Sequence, residues 1–272
     1  YTTEQLIDAL APLRGSGIPL TVHMRQEGSG VVAALEEMLT VARALQTPLE
    51  ISHLKAIGRV NWRAAVPQML AMMESAREDG VDVACDVYPY TAGSTQLIHA
   101  PPPDCQTGGL EQLSERLGDA AFRAQLRERM QTGEDFENIS LLAGWENIRI
   151  AALAGAEDQK YVGQSIAALA EKEGKDPFDA LFDLLAREHC AVTMIDEIAC
   201  EDDLEAILRD GHSSIISDSI YPGSGLCHPR VYGTFVRAIE RYVRERGVLT
   251  LEEAVAKMTG LPAGRLGLRT KG

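Results

Sequence analysis

Hydrophobic positions in the first ninety residues form two kinds of run. In 3–14, 30–46 and 62–79 they recur every three or four residues, as in Val66, Leu70 and Met73, which predicts amphipathic helices. In 18–23, 49–54 and 81–88 they are nearly continuous, which predicts strands covered on both faces. Helix and strand alternate strictly, the β-α-β repeat of a parallel α/β fold. The pattern changes at about residue 91. From there to 146 the chain carries Pro101-Pro102-Pro103, Gly108-Gly109 and a charged helical stretch near 111–131, too long for a simple loop and too polar for a barrel core. Strands at 147–153 and 191–196, helices at 165–172, 177–187 and 202–209, and a last strand at 213–218 follow, before closing helices at 232–246 and 251–258.

Three strands end on groups that packing does not explain. Ile18-Pro-Leu-Thr-Val runs into His23, and Leu49-Glu-Ile-Ser runs into His53. The run Ser213-Ser-Ile-Ile-Ser ends on Asp218. A single strand-end histidine is more often a hydrogen-bonded structural residue than a ligand. Two of them on neighbouring β-α units, with a carboxylate that needs a cation or strong donors beside it, form a constellation at one mouth of a parallel sheet. Two imidazoles and a carboxylate suit a Zn²⁺-like ion, with the carboxylate alternatively placed to take the proton of a water.

Composition narrows the classes. A chain of 272 residues is long enough for one large core, close to the ~250 residues of a (β/α)₈ barrel. Acidic residues outnumber basic ones 40 to 26, which argues against a nucleic-acid surface. No run approaches the ~18 apolar residues of a membrane span. The cysteines, at 85, 105, 190, 200 and 227, are odd in number and lack a CxxC pair, so a cytoplasmic location is expected. The sequence starts at Tyr1 without a methionine and is expected to be a piece of a longer protein.

Several blocks in order resemble the N-acyl-D-amino-acid deacylases (D-aminoacylases) of the amidohydrolase superfamily. They are His23-Met-Arg-Gln-Glu27, Ile51-Ser-His-Leu-Lys55, Asn61-Trp62, Asp86-Val-Tyr-Pro-Tyr-Thr-Ala-Gly-Ser-Thr95, Ser217-Asp218, His228-Pro-Arg-Val-Tyr-Gly-Thr-Phe235 and the tail from Leu249 to Ala263. The resemblance spans nearly the whole chain apart from about 97–144. It implies a partial, distorted TIM-type (β/α)₈ barrel with an insertion before the last strand. Residues 1–272 would be its C-terminal portion and 91–146 an inserted lid or subdomain. It also implies zinc-dependent hydrolysis of the N-acyl bond of an N-acyl-D-amino acid. His23 and His53 match the family's mid-barrel zinc ligands and Asp218 its acid/base. Lys55, Tyr88, Ser94 and Arg230 match positions that hold the substrate carboxylate, a role suited to two fixed cations and two neutral donors.

The family's first-strand His-x-His or His-x-Asp pair is absent, since His99, His189, His212 and His228 are isolated. The resemblance therefore implies one tight Zn²⁺ site, with a second metal left open, and some ligands outside this chain. Members specific for acidic D-residues are expected to carry extra arginines after the Tyr-Pro-Tyr block. Thr95 to Pro103 has none, so a neutral or apolar D-side chain is expected. Two rivals stay open at this point: a cyclic-amide hydrolase of the dihydroorotase or hydantoinase kind, and a non-catalytic binding barrel. The oligomeric state has no signature in the sequence.

Overall fold

The computed structural model describes residues 1–133, 135–221 and 223–271. Four short strands form a parallel sheet in the order β1-β2-β3-β7: β1 (Leu20–Val22), β2 (Leu49–Ile51), β3 (Val83–Val87) and β7 (Ser213–Ile215). Parallel neighbours need a crossover, and helices supply it. After α1 (Thr3–Ala9), α2 (Val31–Leu45) joins β1 to β2 and α3 (Ala65–Glu78) joins β2 to β3. Each turns an apolar face inward, Leu35, Leu39, Ala42 and Leu45 from α2 and Val66, Met69 and Met73 from α3. The strands are in register as Val22↔Ile51↔Cys85, and Val87 pairs with Ile215. All four C-terminal ends therefore open on the same edge of the sheet.

The segment between β3 and β7 builds a second layer with its own core. Strands β4 (Ala92–Gln96), β5 (Ile148–Ala152) and β6 (Thr193–Glu197) form an antiparallel sheet in the order β4-β6-β5. Helices α4 (Leu110–Arg116), α5 (Ala120–Thr132), α6 (Ile139–Leu142), α7 (Ile166–Glu173) and α8 (Pro177–Arg187) surround it. Leu97, Ile148, Ile150, Phe182, Leu185 and Met194 are buried together there, separate from the core of the parallel sheet. The two later strands form where their apolar runs predict, but they pair antiparallel with each other, and β6 also pairs with a strand the pattern does not show. Ala92-Gly-Ser-Thr-Gln96 has no hydrophobic alternation, and its pairing with β6 makes it a strand. The expected helix at 111–131 is two helices, broken at Gly118-Asp119, where the Asp119 side chain caps α5.

The chain returns through α9 (Glu201–Arg209) to β7 and closes with α10 (Arg230–Arg237), α11 (Leu251–Met258) and α12 (Gly260–Arg265). α10 continues into a wider π-wound stretch, Ala238–Glu245. From α12, Arg265 reaches under the sheet to Glu50 on β2 at 2.9 Å and also binds Asp82. Burial pushes the Glu50 carboxyl up to about 7, with Asp86 adding to the effect and Arg265 opposing it. A folded value above the ordinary 4.5 means stability present below pH 4.5 and lost as the pH rises through about 7. The loss is on the order of 2–3 kcal/mol. Urea unfolding at pH 5 and pH 9 is expected to show this fall in the wild type and a flatter profile in Glu50→Gln. Equal slopes in both proteins would remove Glu50 as its source.

Candidate functional site

The common C-terminal edge of the parallel sheet is where the strand-end groups meet. His23 follows β1 directly, His53 lies two residues past β2, Tyr88 follows β3, and Asp218 stands three past β7. With Lys55, Ser94 and Arg230 they line one cleft of about 610 Å³. The backbone is bent to present them: φ is +38° at His53 and +45° at Asp218, a region that side-chain-bearing residues seldom adopt. At His53 the bend is held by Asp86, whose Oδ1 accepts the His53 N–H at 2.5 Å.

His23 Nδ1 and His53 Nε2 converge to 2.9 Å with the rings nearly edge to face. Two nitrogens bound tetrahedrally to zinc at ~2.0–2.1 Å lie ~3.3 Å apart, so a displacement of a few tenths of an ångström fits such an ion between them. Desolvation, with His53 and Lys55 adding, keeps the His23 imidazole below its ordinary value and hence neutral, the form that ligates. The other edge of His53 faces Glu27. Glu27 Oε1 lies 3.0 Å from His53 Nδ1 and accepts from Lys55 Nζ at 2.6 Å. Burial acts to raise the Glu27 carboxyl, but Lys55 and His53 outweigh it and hold it at about 2. His23, Glu27 and His53 thus form a cluster whose donor atoms lie within 4.8 Å of one another, a metal-sized set.

The opposite wall carries Arg230. It is only 2% exposed, and its guanidinium stacks over the Tyr88 ring at 4.6 Å. Nη1 pairs with Asp218 Oδ2 at 2.9 Å and Nη2 donates to the Ser94 carbonyl at 3.1 Å, while Nε is buried and has no partner among the described residues. His228 supports it from behind. Its Nδ1 accepts the Arg230 N–H at 3.0 Å, and its Nε2 lies 3.1 Å from the Ala92 carbonyl. Desolvation and the Arg230 charge push His228 down to about 4, so it stays neutral. At Gly93 in this wall a Cβ would stand 2.6 Å from Ile198 Cδ1 and 3.0 Å from Asp196 Oδ1, so a side chain there would make Ile198 move.

All seven site residues predicted from the sequence therefore line one cleft, though both cations already hold carboxylate partners. Four acidic residues of the site carry no functional signal of their own in the sequence. Glu27 and Asp86 lie inside the quoted blocks, where their types alone give them no role. Asp196, buried in the cleft wall and raised to about 6 by burial, sits on β6. Glu137 comes from the segment before α6 and accepts the backbone N–H groups of Glu27 and Gly28. α5 brings Arg129 to the cleft, where Asp104 and Asp135 bind it at 2.8 Å.

The chain aligns end to end with known enzymes. It is 33% identical over 274 residues to the D-aminoacylase of Alcaligenes xylosoxydans xylosoxydans, covering 100% of this chain and 46% of that protein. It is also 33% identical to the N-acyl-D-glutamate deacylase of the same organism, over 98% of this chain and 45% of that one. Along its whole length the chain is similar to N-acyl-D-amino-acid deacylases. It spans about half the length of these relatives. No protein-family model matches it. Among solved structures, the N-acyl-D-glutamate deacylase of Bordetella bronchiseptica, complexed with zinc and a phosphonate that mimics the tetrahedral intermediate, superposes with a TM-score of 0.77 at 29% identity. That match covers 100% of this chain and 47% of the other. A D-aminoacylase structure described by its binuclear metal centre gives 0.74 at 30%, with the same coverage. The parallel sheet is thus part of the deacylase amidohydrolase fold. No described helix is long and apolar enough to cross a membrane.

Proposed function

We propose that this chain carries part of the active site of a zinc-dependent N-acyl-D-amino-acid deacylase, which hydrolyses the N-acyl amide to a carboxylate and a free D-amino acid. One observation carries the reading. His23, His53 and Asp218 meet at the C-terminal ends of parallel strands, in a chain related along its whole length to deacylases. His23 Nδ1 and His53 Nε2 would hold the ion. When bound, zinc supplies Lewis acidity toward the amide carbonyl and lowers the pKa of water. Asp218 takes the proton of the attacking water and returns it to the leaving nitrogen. Lys55, Arg230, the Tyr88 hydroxyl and Ser94 face the substrate's α-carboxylate and fix the D-configuration. The five free cysteines support a reducing compartment such as the cytoplasm.

The side-chain end of the cleft favours a neutral D-residue. Arg129 is bound by Asp104 and Asp135, Arg25 by Glu37 at 2.8 Å, and Asp196 adds a buried carboxylate. Among the described residues at this end carboxylates outnumber cations, so an acidic substrate side chain would meet net like charge and be disfavoured. The intact zinc-loaded protein is expected to prefer N-acetyl-D-methionine over N-acetyl-D-glutamate by at least about tenfold in kcat/KM. Chelation is expected to abolish turnover and added zinc to restore it. Comparable rates on the two substrates would overturn the side-chain preference, and full activity after zinc removal would overturn the metal-dependent reaction.

A further inference from the structure

The two edges of the His53 ring face different chemistry. Nε2 faces His23 Nδ1 at 2.9 Å, and Nδ1 faces Glu27 Oε1 at 3.0 Å. We infer that Glu27 is a positioning residue that sets the tautomer of His53, taking the Nδ1 proton and leaving the Nε2 lone pair free on the edge turned to His23. The inference rests on the proposed metal site.

Two alternatives account for the donors and acceptors around the ring less well. Glu27 is near enough to be a direct ligand, since the donor atoms of the three residues lie within 4.8 Å. But an ion between His23 Nδ1 and His53 Nε2 is across the imidazole from Glu27 Oε1, and that oxygen is already engaged by Lys55 at 2.6 Å. In the other alternative Lys55 Nζ, 2.9 Å from Nδ1, donates to a bare Nδ1. That would place the proton on Nε2, against His23. Lys55 does not need Nδ1, because Glu27 Oε1 and the His53 carbonyl, the latter at 2.9 Å, both accept from it. With the proton on Nδ1, Glu27 accepts from both donors. A carboxylate behind a metal-bound histidine orients the ring and raises its basicity, and its loss typically lowers metal affinity 10–100-fold.

Glu27 is fixed for this task from two sides. It is buried, and Glu137 accepts its backbone N–H and that of Gly28. Asp86 holds the His53 backbone in turn. The ring and its acceptor are therefore both preset.

The test is zinc affinity by competition with a chromogenic chelator, together with ¹⁵N spectra of histidine-labelled intact protein. Glu27→Gln keeps shape and removes charge. It is expected to weaken zinc binding roughly 10–100-fold. Zinc-loaded wild type is expected to show His53 protonated at Nδ1 and metal-bound at Nε2, a signature that does not depend on the variant folding. Unchanged affinity in Glu27→Gln would leave Glu27 as a partner of Lys55 alone and overturn the inference. Zinc loss as complete as in His53→Ala, or a metal-bound Nδ1, would also overturn it by making Glu27 a ligand or reversing the ring. Zinc retained in His53→Ala would overturn the metal site itself, a failure distinct from the others.

Discussion

Asp218→Asn is expected to lower kcat on N-acetyl-D-methionine by about 10²–10⁴-fold, the usual contribution of a positioned general base. Asparagine keeps the shape but cannot take the proton of water or return it to the leaving nitrogen. Zinc content should not change, because the two imidazoles are untouched. KM should move little, since Arg230 keeps its contact with the Ser94 carbonyl and its stacking on Tyr88. The side chain is a third exposed and asparagine Oδ1 can still accept from Arg230, but the buried guanidinium loses its carboxylate, so a modest loss of stability is expected and is read beside the kinetics by thermal unfolding. The check is steady-state kinetics beside metal analysis. A kcat within threefold of wild type would move the proton transfer to another group, and Asp196 would be the next to replace.

His53→Ala is expected to have the larger effect, because it removes one of the two convergent nitrogens and with it the ion. Lewis-acid stabilisation is worth several kcal/mol, so kcat/KM should fall by about a thousandfold or more. Zinc per protein should fall in parallel, and added imidazole should restore part of the rate by filling the vacated space. Glu27 and Lys55 keep each other in the variant, so no buried charge is left alone. Thermal unfolding separates this from general damage: an unchanged midpoint with lost zinc and lost activity is the expected combination. Loss of activity with full zinc occupancy would mean that His53 acts on the substrate and not on the metal.

Much of this site was legible in the sequence, for a simple reason. An apolar run that stops at His23, His53 or Asp218 marks a strand end, and parallel strands joined by helices bring such ends to one edge. Lys55, Tyr88, Ser94 and Arg230 came from the resemblance and not from periodicity, since one cation or hydroxyl in a loop has no distinguishing pattern. What stayed hidden depends on contacts between distant segments. β4 lacks any alternation and becomes a strand through β6. The apolar runs of β5 and β6 marked strands without saying which way they pair, because a period of two carries no direction. Asp196 and Glu137 reach the cleft from far along the chain, and nothing near either one announces it. Arg129 defeats a local count of arginines in the same way: the loop after Tyr-Pro-Tyr has none, yet α5 brings one to the cleft, where two aspartates bind it.

Whether these strand-end groups serve a deacylase acting on D-substrates is decided by the initial rates of amino-acid release from N-acetyl-D-methionine and N-acetyl-L-methionine by the intact zinc-loaded protein. Release from the D-substrate and only background release from the L-substrate are expected. A zinc-bound protein that cleaves neither, or that prefers the L-form, would contradict that role.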